Sequence, residues 1–371
     1  QMCIRDSFSI ASIFLIGGLS QVHSAIISNG LIKMGVHPEG NLNFAGDLLS
    51  CPSSPTTTVG LRFIRDDCES DATAPGSPCE GWGASANGVN TVPNFSGWEN
   101  ECGSGGTSAI SFTSSATTAT SIMDITGGPL QVTHAYKPSP ATPNAYETTV
   151  TYKNTGTEAL TNLRYRRTMD WDIAPYTFNE CVTVDTGNSN SVELVSDDGF
   201  VTSNPFGGIS GYDFSSSTFP YSIVGSGPRD HGAALQFLFK DDSNVPVILL
   251  PNETLEFSVF YGAAENTVAA DAVLALLGAE VYSYGYPPST LGGNCNPTTG
   301  NNGSPNVFIF AFSGVGGDPI IESPPTVSVY SVLLFFDRDF LVVEYFCFLL
   351  LFVKTLTQLL FRSILFHFLY I

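Results

Sequence analysis

From residue 26 to residue 312 the chain keeps returning to one pattern: a short run of alternating side chains rich in Val, Ile, Thr, Phe and Tyr, stopped by Gly, Pro, Asn or Ser. Successive side chains on a strand point to opposite faces, so each run buries one face and needs a second layer to bury it against. The spacing predicts an all-β fold, an antiparallel β-sandwich. Its strands are expected at 26–36, 58–64, 108–113, 121–125, 130–136, 146–153, 160–173, 181–185, 191–195, 233–239, 254–261, 280–284 and 307–312. Asn29-Gly30 reads as a turn within the first run, and Asn154-Thr155-Gly156-Thr157 as the turn of a hairpin joining 146–153 to the strand beyond it. One segment departs from the pattern: 266–277 (NTVAADAVLALL) has helix-forming content, a capping Asn266 or Thr267 and Gly278 just after its end. A single short helix is expected there, connecting across the sandwich.

Charge narrows the function. The formal net charge is −20. Residues 25–323 alone carry 10 Lys plus Arg against 30 Asp plus Glu. Nucleic-acid binding needs clustered cations, and no such run exists. Phosphate-cradling loops, dinucleotide fingerprints and Gly-x-Ser-x-Gly elbows are also missing from the sequence.

Both ends read as targeting segments. Residues 9–19 are apolar and lead to Val22-His23-Ser24-Ala25, the pattern of a signal peptide with cleavage after Ser24. Residues 1–7 (QMCIRDS) resemble translated adapter sequence and are expected to be non-native. The domain proper is expected over 25–323, with a separate tail over 324–371. Beyond residue 330 there is no Gly, Ala, Pro or Asn, and Phe and Leu supply 20 of 41 residues. Its apolar run 340–353 would reach only about 21 Å as a helix, against roughly 30 Å of hydrocarbon.

The junction, Pro325-Thr326-Val327-Ser328-Val329-Tyr330-Ser331-Val332-Leu333-Leu334, resembles the start of IPTL-CTERM sorting signals, relatives of the PEP-CTERM type. The resemblance implies a Gram-negative bacterium, export, and handling by envelope sorting machinery at the cell surface. After Leu334 the sequence departs from that family, as a frameshifted tail would; a degenerate native anchor is the alternative. The strings HAYKPSPATPNAYETTVTYKNTG, YRRTMDWDI, YGAAENT and GAEVYSYG resemble exported bacterial proteins that join a β-rich domain to such a tail, a likeness that carries no activity. Residues 28–36 with 39–42 resemble the opening strands of galactose-mutarotase-type super-sandwiches, and 146–172 resembles hairpins of immunoglobulin-like surface domains. A mutarotase-like super-sandwich and two packed immunoglobulin-like units both stay open.

Cysteine usage agrees with export. Cys51, Cys68, Cys79, Cys102, Cys181 and Cys295 form an even set with no Cys-x-x-Cys pair, so disulfides are expected rather than zinc, with connectivity undetermined. Four of them fall in a turn-rich stretch, where at least one link is expected.

The strand over 160–173 holds the densest chemistry. Alternation puts Leu163, Tyr165, Arg167, Met169, Trp171 and Ile173 on one face, and Arg164, Arg166, Thr168, Asp170 and Asp172 on the other. Asp170 and Asp172 are therefore candidate metal ligands, for calcium, or contacts for sugar hydroxyls. A solvated face with cross-strand ion pairs is the plainer alternative. Trp82 and Trp98, in Gly-rich surroundings, are candidate sugar-stacking rings. His134, His231 and Asp170 are weak catalytic candidates, with Asp230 beside His231 as an orienting carboxylate.

Two functions follow as expectations. One is an exported cell-surface or extracellular-matrix protein, structural or binding extracellular polysaccharide. The other is a carbohydrate-active enzyme of mutarotase or lyase type, using His134 or His231 with an acid such as Glu147 or Asp170, which requires histidine and carboxylate to converge in one concave pocket.

Overall fold

The computed structural model describes residues 24–46, 56–65, 68–73, 75–88, 93–212, 214–225, 227–288, 290, 292–295 and 306–321. The signal-peptide and sorting-tail expectations lie outside the described residues, as does Cys51.

Two large antiparallel sheets face each other. The first has nine strands in the order Ser222–Val224, Cys181–Asp185, Val281–Tyr286, Val307–Ser313, Thr254–Ala264, Ala145–Asn154, Leu130–Pro138, Ala119–Ile125 and Thr107–Ser114. The second has six: Ser215–Ser216, Val192–Ser196, Gly232–Leu238, Leu160–Asp170, Glu80–Gly88 and Phe95–Asn100. The protein is thus an all-β sandwich, as the punctuation of the sequence predicts. One continuous core from Ile27 to Val315 draws on both sheets, and a smaller sheet of Ala25–Ser28, Ile32–Val36, Leu61–Arg65 and Cys68–Asp71 joins it through Ile32, Met34, Leu61 and Phe63.

Alternation decides which layer each side chain meets. In Val307–Ser313, Phe308, Phe310 and Phe312 enter the core between the sheets, while Val307, Ile309 and Ala311 face outward. That outer face is covered by the one helix among the described residues, Thr267–Leu277, through Ala270, Val273, Leu274 and Leu277. Asn266 caps it by accepting from the Ala269 N–H at 2.9 Å, and Gly278 ends it at φ 62°, as helix punctuation requires. The helix lies against a sheet face instead of crossing between layers.

Two expectations are corrected. Ala145–Asn154 and Leu160–Asp170 are not a hairpin, because they belong to different sheets. Both bury aromatic faces, and Tyr152 meets Tyr165 edge-on across the core with centroids 6.3 Å apart. The turn between them is therefore a corner, held by Asn154 Nδ2 donating to Glu158 O and Leu249 O. Glu80–Gly88 (EGWGASANG) is a strand in which the sequence shows no alternation. Its glycines serve close approach: a Cβ on Gly83 would lie 2.0 Å from Ser203 O, where the stretch 197–212 runs over the outer face of the six-stranded sheet.

Disulfides join Cys79 to Cys102 and Cys181 to Cys295. The first lies in the stretch where a link was expected. The side chain of Cys68, like all of Cys51, lies outside the described residues. No described helix is long and apolar enough to cross a membrane.

Candidate cation site

Leu160–Asp170 is a central strand, hydrogen-bonded to Gly232–Leu238 on one side and Glu80–Gly88 on the other. Both of its faces are covered, so its charged residues are not a solvated ladder. The two faces handle charge differently.

On the inner face, Arg167 is fully buried and fully partnered. Its Nε donates to Glu80 Oε1 at 2.6 Å, its Nη1 to Gly40 O at 3.2 Å and Tyr165 Oη at 3.1 Å, and its Nη2 to Tyr136 Oη at 3.2 Å. Glu80 in turn accepts from Tyr261 Oη at 3.0 Å and the Leu42 N–H at 2.7 Å. The charges and their hydrogen-bonding capacity are satisfied within the protein.

On the outer face the sign of the charge changes along the strand. Arg164 pairs with Glu193 through two bonds of 2.8 and 2.9 Å, and Arg166 donates to Gln236 Oε1, Thr202 O and Gly207 O. Then come the acids. Asp170 is 1% exposed and Asp172 0% exposed, and neither carboxylate has a hydrogen-bond partner on either oxygen. Pairing of Asp170 with Gly232 brings half-buried Asp230 alongside. Asp170, Asp172 and Asp230 each offer an oxygen within 4.8 Å of the other two. Glu180, the residue before the Cys181–Cys295 link, is also buried; its Oε1 accepts from the Ile173 and Phe178 N–H groups while Oε2 is unpartnered.

Burial and mutual repulsion act together on these groups. Burial, then the charges of Asp172 and Asp230, push the Asp170 carboxyl up to about 10. Burial, then Asp230, push Asp172 up to about 8, and burial with Asp172 pushes Glu180 up to about 9. Asp230 is raised as well, chiefly by burial. An isolated buried carboxylate is strongly unfavourable and either takes a proton or meets a cation. Three converging carboxylates with a fourth beside them are the oxygen-rich donor set of a hard divalent cation such as calcium, whose remaining positions backbone carbonyls or water can fill.

The other candidates separate. Trp82, expected as an exposed sugar-stacking ring, is fully buried: it packs on His134 with centroids 4.5 Å apart and donates from Nε1 to Glu39 O. Trp98 is half-buried and covers Gly105. His134 sits between the sheets and meets Tyr165 Oη at 3.2 Å, on the opposite face of the strand from Asp170. Desolvation holds its imidazole well below the usual range, with Arg167 adding to the effect. His231 does lie near the acids, but its Nδ1 faces Asp197 Oδ2 at 3.0 Å and its Nε2 faces Gly227 O at 2.9 Å. The carboxylate at its Nδ1 is thus Asp197 and not the adjacent Asp230. The catalytic set of His134, His231 and Asp170 is therefore not assembled.

Sequence reasoning finds Asp170 and Asp172 through alternation but misses Glu180, and gives Asp230 a different role. The only signals for the latter two were a carboxylate beside a disulfide cysteine and a carboxylate two residues before a strand. Compared with protein-family models and with curated proteins, the chain matches none.

Proposed function

We propose that the chain is an exported protein of the bacterial cell surface or extracellular matrix, a disulfide-linked β-sandwich with a structural or polysaccharide-binding role, and that it holds a calcium ion between Asp170, Asp172 and Asp230. The carrying observation is the pair of buried carboxylates with no partner on any of their four oxygens. Calcium is abundant outside cells, where the sorting tail and disulfides also point. The enzyme alternative is supported less, because His134 lies between the sheets away from Asp170, and His231, though near the acids, is turned toward Asp197 and Gly227.

Thermal unfolding tests the cation. Millimolar calcium should raise Tm relative to EDTA, by about 2.7 kcal/mol of stability at a concentration about a hundredfold above Kd. Asp170→Asn combined with Asp172→Asn should abolish that rise; an equal rise in both proteins rejects the site. Export is checked separately by fusing residues 1–24 to a reporter phosphatase that works only outside the cytoplasm. An inactive fusion rejects it.

A further inference from the structure

Four aromatic side chains are exposed among the described residues: Phe178 at 50%, Phe200 at 39%, Phe206 at 47% and Tyr212 at 44%. All four come from the two segments that carry Glu180 and cover Asp170. Phe178 borders the acidic cluster, and Phe200 and Tyr212 come from backbone that runs beside it. A Cβ on Gly76 would lie 2.5 Å from the Phe178 ring and 3.1 Å from Asp172 Oδ2, so ring and carboxylate flank the same glycine. Phe178 has φ 71°, uncommon for an aromatic residue, and its N–H donates to Glu180 Oε1 at 2.7 Å, which ties the ring to one of the acids. Phe200 follows Gly199, whose added Cβ would lie 2.5 Å from Asp170 Cα. Tyr212 donates its N–H to Asp197 Oδ1 at 2.9 Å, and partial burial, then the charges of Asp198, Asp230 and Asp170, raise its phenol above the usual range.

Single exposed apolar side chains are ordinary, but several exposed aromatic rings grouped at one site mark a place where a ligand packs. An apolar protein partner would finish burying the half-buried Asp230 without compensation. A pyranose would not: its C–H face packs on a ring while vicinal hydroxyls supply neutral oxygens to a cation. Calcium accepts six to eight oxygen ligands, more than the three aspartates provide, so positions on the half-buried Asp230 side remain for such oxygens. We infer that Phe178, Phe200 and Tyr212, with a calcium ion at Asp170, Asp172 and Asp230, form a calcium-dependent binding site for neutral polysaccharide. This inference rests on the cation site proposed above and assigns it a ligand class.

Affinity electrophoresis of the full sandwich through gels containing mannan, dextran or galactan tests it, with alginate as an anionic comparison. Retardation by at least one neutral polymer is expected in millimolar calcium and should vanish in EDTA. Phe178→Ala with Tyr212→Ala should weaken retardation by about tenfold in apparent affinity. The same double variant should keep the calcium-induced rise in Tm, because neither ring is a cation ligand. Retardation that survives EDTA, that is unchanged in the ring variant, or that occurs with alginate alone overturns the inference. So does its absence with every polymer when calcium still raises Tm. Absence of any calcium effect on Tm instead overturns the cation site itself.

Discussion

Arg167 and Asp170 sit three residues apart on one strand, both buried, yet their surroundings differ in kind. The inner cluster around Arg167 contains its own counter-ion, Glu80, and hydroxyl or carbonyl partners for the remaining donors. The outer cluster around Asp170 contains like charges and unpartnered oxygens. Burial alone therefore does not distinguish structural charge from functional charge. Whether the protein supplies the opposite charge does: the inner cluster is complete as folded, and the outer one is complete only with protons or a cation.

The sharpest way to break this comparison is to remove one member from each cluster. Glu80→Gln leaves the Arg167 guanidinium buried without a counter-ion and should cost about 3 to 5 kcal/mol of stability. Asp172→Asn removes a carboxylate that is repelled by its neighbours, so in EDTA it should be neutral or stabilising. In calcium the same substitution should be destabilising. Chemical denaturation of both variants with and without calcium reads these signs. A loss in EDTA from Asp172→Asn as large as that from Glu80→Gln would mean the outer cluster has an internal partner after all.

Acidity gives the next largest effect. Asp170, Asp172 and Glu180 titrate near 10, 8 and 9 in the fold, well above their ordinary values of 3.8, 3.8 and 4.5. Between those limits the folded state binds more protons than the unfolded one, so stability without cation must fall as pH rises from about 4 toward 8 and beyond. Calcium displaces those protons, so its stabilising effect should grow over the same window. Tm measured at pH 5.5, 7 and 8.5, each in EDTA and in calcium, should show two curves that diverge upward in pH. Convergence at high pH would show that the carboxylates are ionised and satisfied without a metal.

How far this was legible in the sequence differs between elements. Strands such as Ala119–Ile125 and Leu130–Pro138 stand out because their residues alternate between core and outside. Glu80–Gly88 does not, since its small residues record the close passage of the loop over Gly83 and not a burial pattern. The 154–157 turn misled because a loop rich in Asn and Gly looks the same whether its strands pair or pass into facing sheets. In the site, period-two alternation aligned Asp170 with Asp172. Asp230 arrives through the pairing of Asp170 with Gly232, and Glu180 through the strand begun at Cys181; both are long-range placements that no local spacing encodes.

The smallest effect concerns charge that water reaches. Lys137 and Glu147 are directly opposite each other on neighbouring strands, with Nζ and Oε2 3.3 Å apart, and the lysine side chain is 49% exposed. Solvent screens this pair and the flexible lysine loses entropy on holding it, so a double-mutant cycle of Lys137→Ala and Glu147→Ala should give a coupling of about 0.2 to 1 kcal/mol. Glu147 also accepts from Ser258 Oγ at 3.0 Å, which is why the cycle rather than either single variant isolates the ion pair. Raising the salt to about 1 M, where the Debye length is about 3 Å, should reduce the coupling further. The buried Arg167–Glu80 pair, out of reach of the same ions, should keep its contribution. Equal salt sensitivity of the two pairs would mean that solvent penetrates the sandwich, and exclusion of water could then no longer be what sets Asp170 and Asp172 apart from an ordinary acidic surface.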